Sequence, residues 1–274
     1  MLHLLNTTDK ALWEYFEGEV YDARAKASSP KNTALEERLE KEDLPARFST
    51  MDADAFRTFL HEEYLVWKFA FNGMFLFMAR RGLLQTPPEA IEALRAALAA
   101  PGARSDKDLL RLGTAIRGMG VAAASGLLSL TFPGRFGTVD NQALFAFHAA
   151  GKFLKVKANS FSVSTALEMF EAYREKAAEL NHAFGGDSWT ARRVDRALWA
   201  ERGAGGEDAA PLNAMETAAE AVCDIFNTLS TADKEALTIR LVTIGSLHSG
   251  EGPDYIERVC NAADSEMRRI LAAK

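Results

Sequence analysis

Cysteine is scarce in this sequence, and so are the patterns that direct a chain to a membrane or out of the cell. The two cysteines, Cys223 and Cys260, have no histidine or cysteine at metal-ligand spacing. We therefore expect reduced thiols and no disulfide, zinc or iron–sulfur chemistry. No apolar run is long enough for a transmembrane helix, and the start, MLHLLNTTDK, lacks a signal peptide's basic flank and apolar core. We expect a cytoplasmic protein that binds no membrane.

Strand patterns are also few. Only residues 153–161, FLKVKANSF, alternate persuasively, and this run is short enough to be a loop. Helical patterns dominate the rest, so the predicted fold class is all-α. The composition, 48% apolar and 26% charged over 274 residues, is that of a globular protein with ample core. Charged helices at residues 8–27 and from about 32 to 43 are predicted to be solvated supports without chemistry.

Glycines at 203–206 predict a flexible joint between a domain of residues 1–203 and an extension of residues 204–274. Three helices are expected in the extension, at about 211–229, 231–248 and 253–272. Residues 207–274 hold 12 acidic and 6 basic residues, and their net charge of −6 equals that of the whole chain. The remainder is balanced, which makes a local excess of either sign in it informative.

Such an excess lies at residues 104–157, which contain 8 basic and 3 acidic residues, a net charge of +5. A basic face on an acidic protein favours localised DNA binding. Chance clustering on a solvated surface is the alternative.

The same region contains the most informative stretch, residues 105–142. Ser105 and Asp108 form a capping-box pattern that opens a helix, which is predicted to end near Gly118. A second, small-residue helix is predicted from about 121 to 130, and a loop then delivers one acidic residue, Asp140. The amides at the turn form a candidate cradle for an anion such as phosphate, from Gly118, Gly120, Val121 and Ala122. An ordinary turn between two helices is the alternative.

This stretch resembles the helix-hairpin-helix and the Gly/Pro-rich loop with aspartate of the helix-hairpin-helix DNA glycosylase superfamily. The matching residues are Ile116, Gly118, Met119, Gly120, Ala124, Pro133, Gly134, Val139 and Asp140. Two further stretches, Trp67 with Lys68 and the run from Asp195 to Trp199, resemble uncharacterised bacterial members. The resemblance implies a helical glycosylase-like fold that binds double-stranded DNA. It implies no cofactor beyond a possible monovalent cation at the hairpin, and no protein partner can be inferred.

By this resemblance Asp140 is the catalytic carboxylate of a DNA glycosylase that flips a damaged or modified base and hydrolyses its N-glycosidic bond. Bifunctional members carry a nucleophilic lysine where this chain has Ala122, so a monofunctional enzyme without lysine-dependent lyase activity is expected. The implied role is repair, or removal of modified bases from foreign or phage DNA, and nothing in the residues selects the base. The residues expected to bind DNA are Arg117, Gly118, Met119, Gly120, Val121, Ala122 and Arg135.

Candidates for the base pocket come from two places. The aromatic-rich stretch 52–82 predicts a buried helix interrupted near 72–73, and it holds Trp67 and Lys68. Lys68 either faces the DNA channel or extends its charge to solvent. Asn141 and Gln142 adjoin Asp140 and are suited to reading a base edge, although capping of the following helix is slightly favoured for Asn141.

The helix after residue 187 carries four charged residues with two expected roles. Arg192 and Arg193 are candidates for reaching phosphate, whereas a structural ion pair is favoured for Asp195 and Arg196. Two non-enzymatic interpretations remain for the chain as a whole: a non-catalytic helix-hairpin-helix DNA-binding protein, and a structural or protein-interaction domain.

Overall fold

The computed structural model describes residues 3–28, 30–70, 73–102, 104–158 and 160–201. These ranges contain helices and loops and no strand, as the sequence predicts, and the described part of 153–161 is a loop. None of their helices is both long and apolar enough to cross a bilayer. Apart from residues 73–75, the described residues belong to one compact unit. The predicted joint at 203–206 and the three helices beyond it lie outside the described residues.

Three helices form the N-terminal part of the fold. They are α1 (Lys10–Tyr15), α2 (Tyr21–Ser28), which a π-helical turn at Phe16–Val20 joins to α1, and α3 (Pro30–Lys41). The two predicted helical stretches are confirmed, and most of their charged residues are exposed or half-buried, as expected for solvated supports. Trp13 and Leu39 are fully buried, because these helices supply one wall of the core.

The aromatic-rich stretch forms a series of short helices. They are α4 (Leu44–Ser49), α5 (Ala53–Phe59), a π-helical turn at Leu60–Tyr64, α6 (Leu65–Lys68), α7 (Gly73–Leu84) and α8 (Pro88–Ala99). The break that the sequence predicts near 72–73 lies between α6 and α7. Phe48, Phe56 and Phe59 form a buried ring cluster, with the Phe48 ring centroid 5.0 Å from each of the other two.

The remaining helices build the region of interest. They are α9 (Asp106–Thr114), α10 (Val121–Thr131), α11 (Asn141–Ala149), α12 (Val163–Phe184) and α13 (Ala191–Glu201). Every residue of α10 from Ala123 to Thr131 is buried, and the helix packs against α4, α6, α9, α12 and α13. A β-carbon at Gly113 of α9 would lie 2.8 Å from that of Ala124, which shows how closely the hairpin helices approach. Helix α10 is therefore the central element of the fold.

Candidate functional site

The turn between α9 and α10 has the predicted hairpin form, but α9 ends at Thr114, earlier than expected. The Ser105 hydroxyl accepts from the amide of Asp108 (3.1 Å), as the capping pattern predicts. Residues 115–119 turn tightly, with the Met119 amide donating to the Ile116 carbonyl (3.0 Å). Because Ile116 and Met119 both insert into the core, the chain leaves the helix before Gly118 to aim them inward.

Gly118 and Gly82 bring the hairpin into direct backbone contact with α7. Gly118 has a φ of +85°, in the left-handed region that favours glycine. A β-carbon there would lie 2.6 Å from the carbonyl oxygen of Ala79. From the other side, a β-carbon on Gly82 would lie 2.7 Å from the carbonyl carbon of Arg117. Gly82 was not among the predicted residues, and its one signal in the sequence is a glycine inside a helical pattern.

The amides of the turn divide into two groups. Those of Arg117 and Met119 are used internally, by the Thr86 hydroxyl (2.9 Å) and the Ile116 carbonyl. Those of Gly120, Val121 and Ala122 precede the first backbone bond of α10, which the Ala124 amide donates to the Gly120 carbonyl (2.9 Å). Amides in this position have no partner within their helix and point along its axis, so they suit an anion.

Gly120 and Met119 differ in what they offer this cradle. Gly120 is exposed, and the space where its β-carbon would lie is open to 4 Å. Its φ of −78° is accessible to any residue, so the fold itself does not require glycine there. Met119 has only 3% of its surface exposed, and its amide is already bonded. The Met119 side chain therefore belongs to the core, and its assignment to DNA binding stays a prediction that neither this side chain nor the bonded amide supports.

The two arginines expected to bind DNA have different surroundings. Arg117 is exposed and forms no ion pair within the described part of the chain. Arg135 is paired with Asp106 (2.6 Å) and also donates to the Arg104 carbonyl (3.1 Å). Asp106 binds Arg174 as well (2.8 Å), so this carboxylate reduces the basic excess on that side. Of the two arginines, Arg117 is the better placed to meet a phosphate beside the amides.

The loop from α10 to Asp140 is anchored by hydrogen bonds to three helices. The Ser125 hydroxyl of α10 accepts from the Val139 amide (2.9 Å), and Asp195 of α13 accepts from the Thr138 amide (2.9 Å). Tyr173 of α12 donates to the Thr138 carbonyl (2.7 Å). Each bond is buried, so the loop has one well-determined course and Asp140 has a fixed position at its end.

Asp140 is the N-cap of α11. Its Oδ1 accepts from the amides of Gln142 (3.0 Å) and Ala143 (3.1 Å). The expectation that Asn141 caps this helix is therefore wrong, since Asn141 is the first helical residue. Asp140 is half-buried, and its second oxygen, Oδ2, forms no hydrogen bond with any residue that the structure describes. One carboxylate oxygen is thus held by the fold and the other is left for a ligand or water.

Gln142 adds a buried acceptor close in sequence to Asp140. Its side-chain oxygen, Oε1, has no hydrogen-bond partner in the described ranges. Such atoms are rare in folded proteins because each one costs free energy. This is compatible with the predicted role of Gln142 in contacting a base edge.

Lys68 and Trp67 belong to α6, which packs against α10. The pKa of Lys68 is lowered by burial, which the nearby carboxylates of Asp140 and Asp195 partly offset. The Lys68 ammonium is therefore close enough to Asp140 to interact with it electrostatically. Trp67 is only 8% exposed and stacks beneath the Arg192 guanidinium, 5.3 Å from the ring centroid. Trp67 is part of the core, and in this conformation it offers no free ring face to an extruded base.

Helix α13 carries a buried ionic network next to the loop that leads to Asp140. Arg192 pairs with Glu36, with Glu40 (3.0 Å) and with Asp195 (3.3 Å). Burial raises the pKa of Asp195 to about 6, and Arg192 opposes this shift while Asp140 adds to it. The structural role expected for Asp195 is confirmed. The expectation that Arg192 reaches phosphate is wrong, because its guanidinium is buried and paired with three carboxylates.

The outer arginines of α13 are also engaged. Arg193 pairs with Glu17 (2.9 Å), so its charge is engaged by the fold, and the expectation that it reaches phosphate gains no support. Arg196 pairs with Glu40 (3.1 Å), as expected for a structural ion pair. The Thr190 hydroxyl accepts from the Arg193 amide (3.2 Å) and so caps the start of this helix.

The described residues predicted for the site form no metal centre. Within the described ranges, no group of three or more His, Cys, Asp or Glu side chains is arranged to hold a metal ion. An open groove of about 700 Å³ lies between residues 151–156 and one face of α12, and no residue predicted for the site lines it. The candidate site is therefore the surface where α10 and α11 begin, with Lys68 beside it.

Comparison with known proteins adds no family to this description, since no protein-family model, curated protein or solved structure matches the chain significantly.

Proposed function

We propose that this chain is a monofunctional DNA glycosylase with Asp140 as its catalytic carboxylate. The observation that carries the proposal is the arrangement of two helix starts. Helix α10 begins with three first-turn amides beside an exposed Arg117. The loop that follows this same helix ends at Asp140, which keeps one carboxylate oxygen without a partner in the described residues. An anion site and a general base or electrostatic catalyst thus come from one contiguous stretch.

The chemistry requires both parts. Cleavage of an N-glycosidic bond develops positive charge on the deoxyribose, and a nearby carboxylate stabilises that charge. Asp140 Oδ2 also suits the orientation and deprotonation of the attacking water. The target base has to leave the duplex stack first. Amides of Gly120, Val121 and Ala122 that hold the backbone phosphate would place the sugar against the acid.

Water is the proposed nucleophile for base release, because Ala122 offers no amine at the hairpin. The substrate class is a damaged base, such as an oxidised purine or an alkylated base, or a bulkier modified base of the kind found in phage DNA. The proposed setting is cytoplasmic, in repair or in the removal of modified bases from foreign DNA.

A panel of damaged and naturally modified duplex DNAs tests the proposal. After incubation with the full chain, mass spectrometry of the small-molecule fraction is expected to detect a free base from at least one DNA. The same measurement on unmodified DNA of matched sequence serves as the control. Binding to the panel without any released base would reject the glycosylase.

That outcome would favour the second candidate, a non-catalytic helix-hairpin-helix DNA-binding protein. One observation supports this alternative directly, because capping of α11 gives Asp140 a structural role that needs no catalysis. The anion site is common to both candidates.

Two charge changes at the hairpin test DNA binding itself. Arg117→Glu and Gly120→Asp each place a carboxylate at the proposed phosphate site, and each is expected to weaken duplex binding by roughly tenfold. Arg117→Glu should also reduce the slope of log Kd against log salt by about one phosphate contact. Fluorescence anisotropy with a labelled duplex over a series of salt concentrations measures both effects.

The control is Lys41→Glu, which matches the charge change of Arg117→Glu and exceeds that of Gly120→Asp, at an exposed residue of α3 that has no ion pair among the described side chains. Equal weakening by all three variants would indicate a net-charge effect. Unchanged binding in the two hairpin variants would favour a structural or protein-interaction domain.

A further inference from the structure

Ion pairs within the fold use the charge of many arginines. Arg80 of α7 pairs with Glu62 (3.2 Å). Asp106, at the start of α9, pairs with both Arg135 (2.6 Å) and Arg174 (2.8 Å). A guanidinium that a carboxylate already matches has less charge to offer a polyanion. The cations without such a partner are therefore the ones that indicate a binding surface.

Four cations around the hairpin form no such pair. Arg81, Lys107, Arg111 and Arg117 are all exposed, and none of them has an ion-pair partner among the residues that the structure describes. Of these four, the sequence predicted DNA binding only for Arg117. The other three belong to α7 and α9, the helices that meet at the turn.

Lys107 and Arg111 share the exposed face of α9. The opposite face holds Leu109, Leu110 and Gly113, which are buried. Residues four apart lie on the same side of a helix, separated by about 6 Å along its axis. One strand of a duplex carries a phosphate for about every 3.4 Å of the duplex axis. Phosphates of a single strand can therefore meet both cations.

The carboxylates of α9 leave this face with a net positive charge. Asp106 is half-buried and is held by the two arginines named above. Asp108 is exposed, but its Oδ2 accepts from the Ser105 hydroxyl (2.7 Å) as part of the helix cap. Within the described part of the chain, neither carboxylate forms an ion pair with Lys107 or Arg111.

Arg81 adds α7 to the same surface. A β-carbon on Gly118 would lie 2.6 Å from the Ala79 carbonyl oxygen, and one on Gly82 would lie 2.7 Å from the Arg117 carbonyl oxygen. Helix α7 thus touches the turn at residues on both sides of Arg81 in the sequence. The Arg81 side chain therefore starts next to the hairpin backbone, and it is exposed to solvent there.

We propose that Arg81, Lys107 and Arg111 bind the phosphate backbone of double-stranded DNA, as an extension of the hairpin site along α9 and onto α7. The inference rests on the proposed function for DNA as the ligand, but not for base excision or for the role of Asp140. Phosphate contacts carry no sequence information and fix the register of a protein on the duplex. These cations therefore orient the duplex on the hairpin, which is the role that the sequence suggested for the buried Arg192.

Salt-dependent binding of an unmodified duplex tests this surface with the full chain. Arg81→Gln, Lys107→Gln and Arg111→Gln each remove one charge from an exposed side chain and should leave Tm unchanged. Each is expected to reduce the slope of log Kd against log salt by about 0.9, and to weaken binding roughly five- to tenfold at about 0.1 M salt. The triple variant should lose about three such contacts from the slope. Fluorescence anisotropy with a labelled duplex measures both quantities.

Two variants serve as controls. Lys41→Gln makes the same charge change at an exposed residue of α3 and should bind DNA like the wild-type protein. Arg111→Lys retains the charge and should keep the wild-type slope, because lysine binds phosphate as a point charge.

The inference is overturned if the wild-type protein does not bind the duplex, or if all three neutral variants keep the slope of Lys41→Gln. Tighter binding of a duplex RNA of the same sequence, lost in the same variants, would also overturn it, because the surface would then fit RNA. Base release is measured separately by mass spectrometry. Released base with unchanged slopes would leave the glycosylase and remove this surface, whereas reduced slopes without released base would support the surface and reject the glycosylase.

Discussion

Asp140→Asn is expected to abolish most base release while duplex binding stays at the wild-type level. The variant keeps an oxygen that can accept from the amides of Gln142 and Ala143, so the cap of α11 survives. It removes the negative charge that stabilises the sugar cation and the basicity that activates water. Loss of one such electrostatic group costs about 10²–10³-fold in rate. Single-turnover release of the base found by the DNA panel, followed by mass spectrometry, measures the effect.

A matched control exists in the same fold. Asp52 caps α5 and accepts from the Ala55 amide (2.8 Å), with no chemistry proposed for it. Asp52→Asn repeats the chemical change at a helix start and should release base at the wild-type rate. If Asp140→Asn also released base at that rate, capping would be the only role left for Asp140, and the mechanism proposed here would be wrong.

Gly118→Ala is expected to be the most destabilising single-methyl change in the hairpin. The new β-carbon would meet the Ala79 backbone at 2.6 Å, and alanine disfavours the φ of +85°. Strain in the left-handed region and overpacking together cost about 2–6 kcal/mol. At about 2–4 °C per kcal/mol, Tm should fall by roughly 10 °C, which thermal unfolding by circular dichroism detects. Gly82→Ala should be destabilising as well, because its new β-carbon on α7 would meet the Arg117 backbone at 2.7 Å.

Gly120→Ala is the control, because it adds the same methyl group two residues away. Its φ of −78° suits alanine, and nothing lies within 4 Å of the new atom, so stability should change by less than about 0.5 kcal/mol. Equal Tm values for the Gly118 and Gly120 variants would contradict the close contact between the hairpin and α7. A fall in duplex affinity of the stable Gly120→Ala variant would indicate that the open space admits phosphate.

Local signals predicted the elements of the hairpin well. The cap at Ser105, the turn at Gly118 and the start of α10 depend on residues within one or two turns of each other, which a sequence displays directly. The helix boundary at Thr114 was missed because two core side chains, Ile116 and Met119, determine where the chain leaves the helix. Their burial is a property of the packed molecule.

Charge roles were harder to predict because partners come from distant parts of the chain. In the sequence Arg192 is a candidate phosphate ligand, yet in the fold its charge is neutralised by Glu36 and Glu40 of α3. Arg135 likewise forms an ion pair with Asp106. In contrast, Arg117 keeps an exposed charge without an ion pair among the described residues. Which arginine faces solvent depends on which helices pack together, and periodicity does not specify that.

The sequence by itself determined the all-α class of the described residues, the glycine hairpin and an aspartate at the start of the next helix, because each follows from short-range backbone preferences and hydrophobic periodicity. The tertiary structure alone decided that Gly82 meets Gly118, that Trp67 is core, and that Lys68 crosses α10 beside Gly126 near Asp140. These are contacts between segments far apart in the chain, and their energies arise only when the helices are packed.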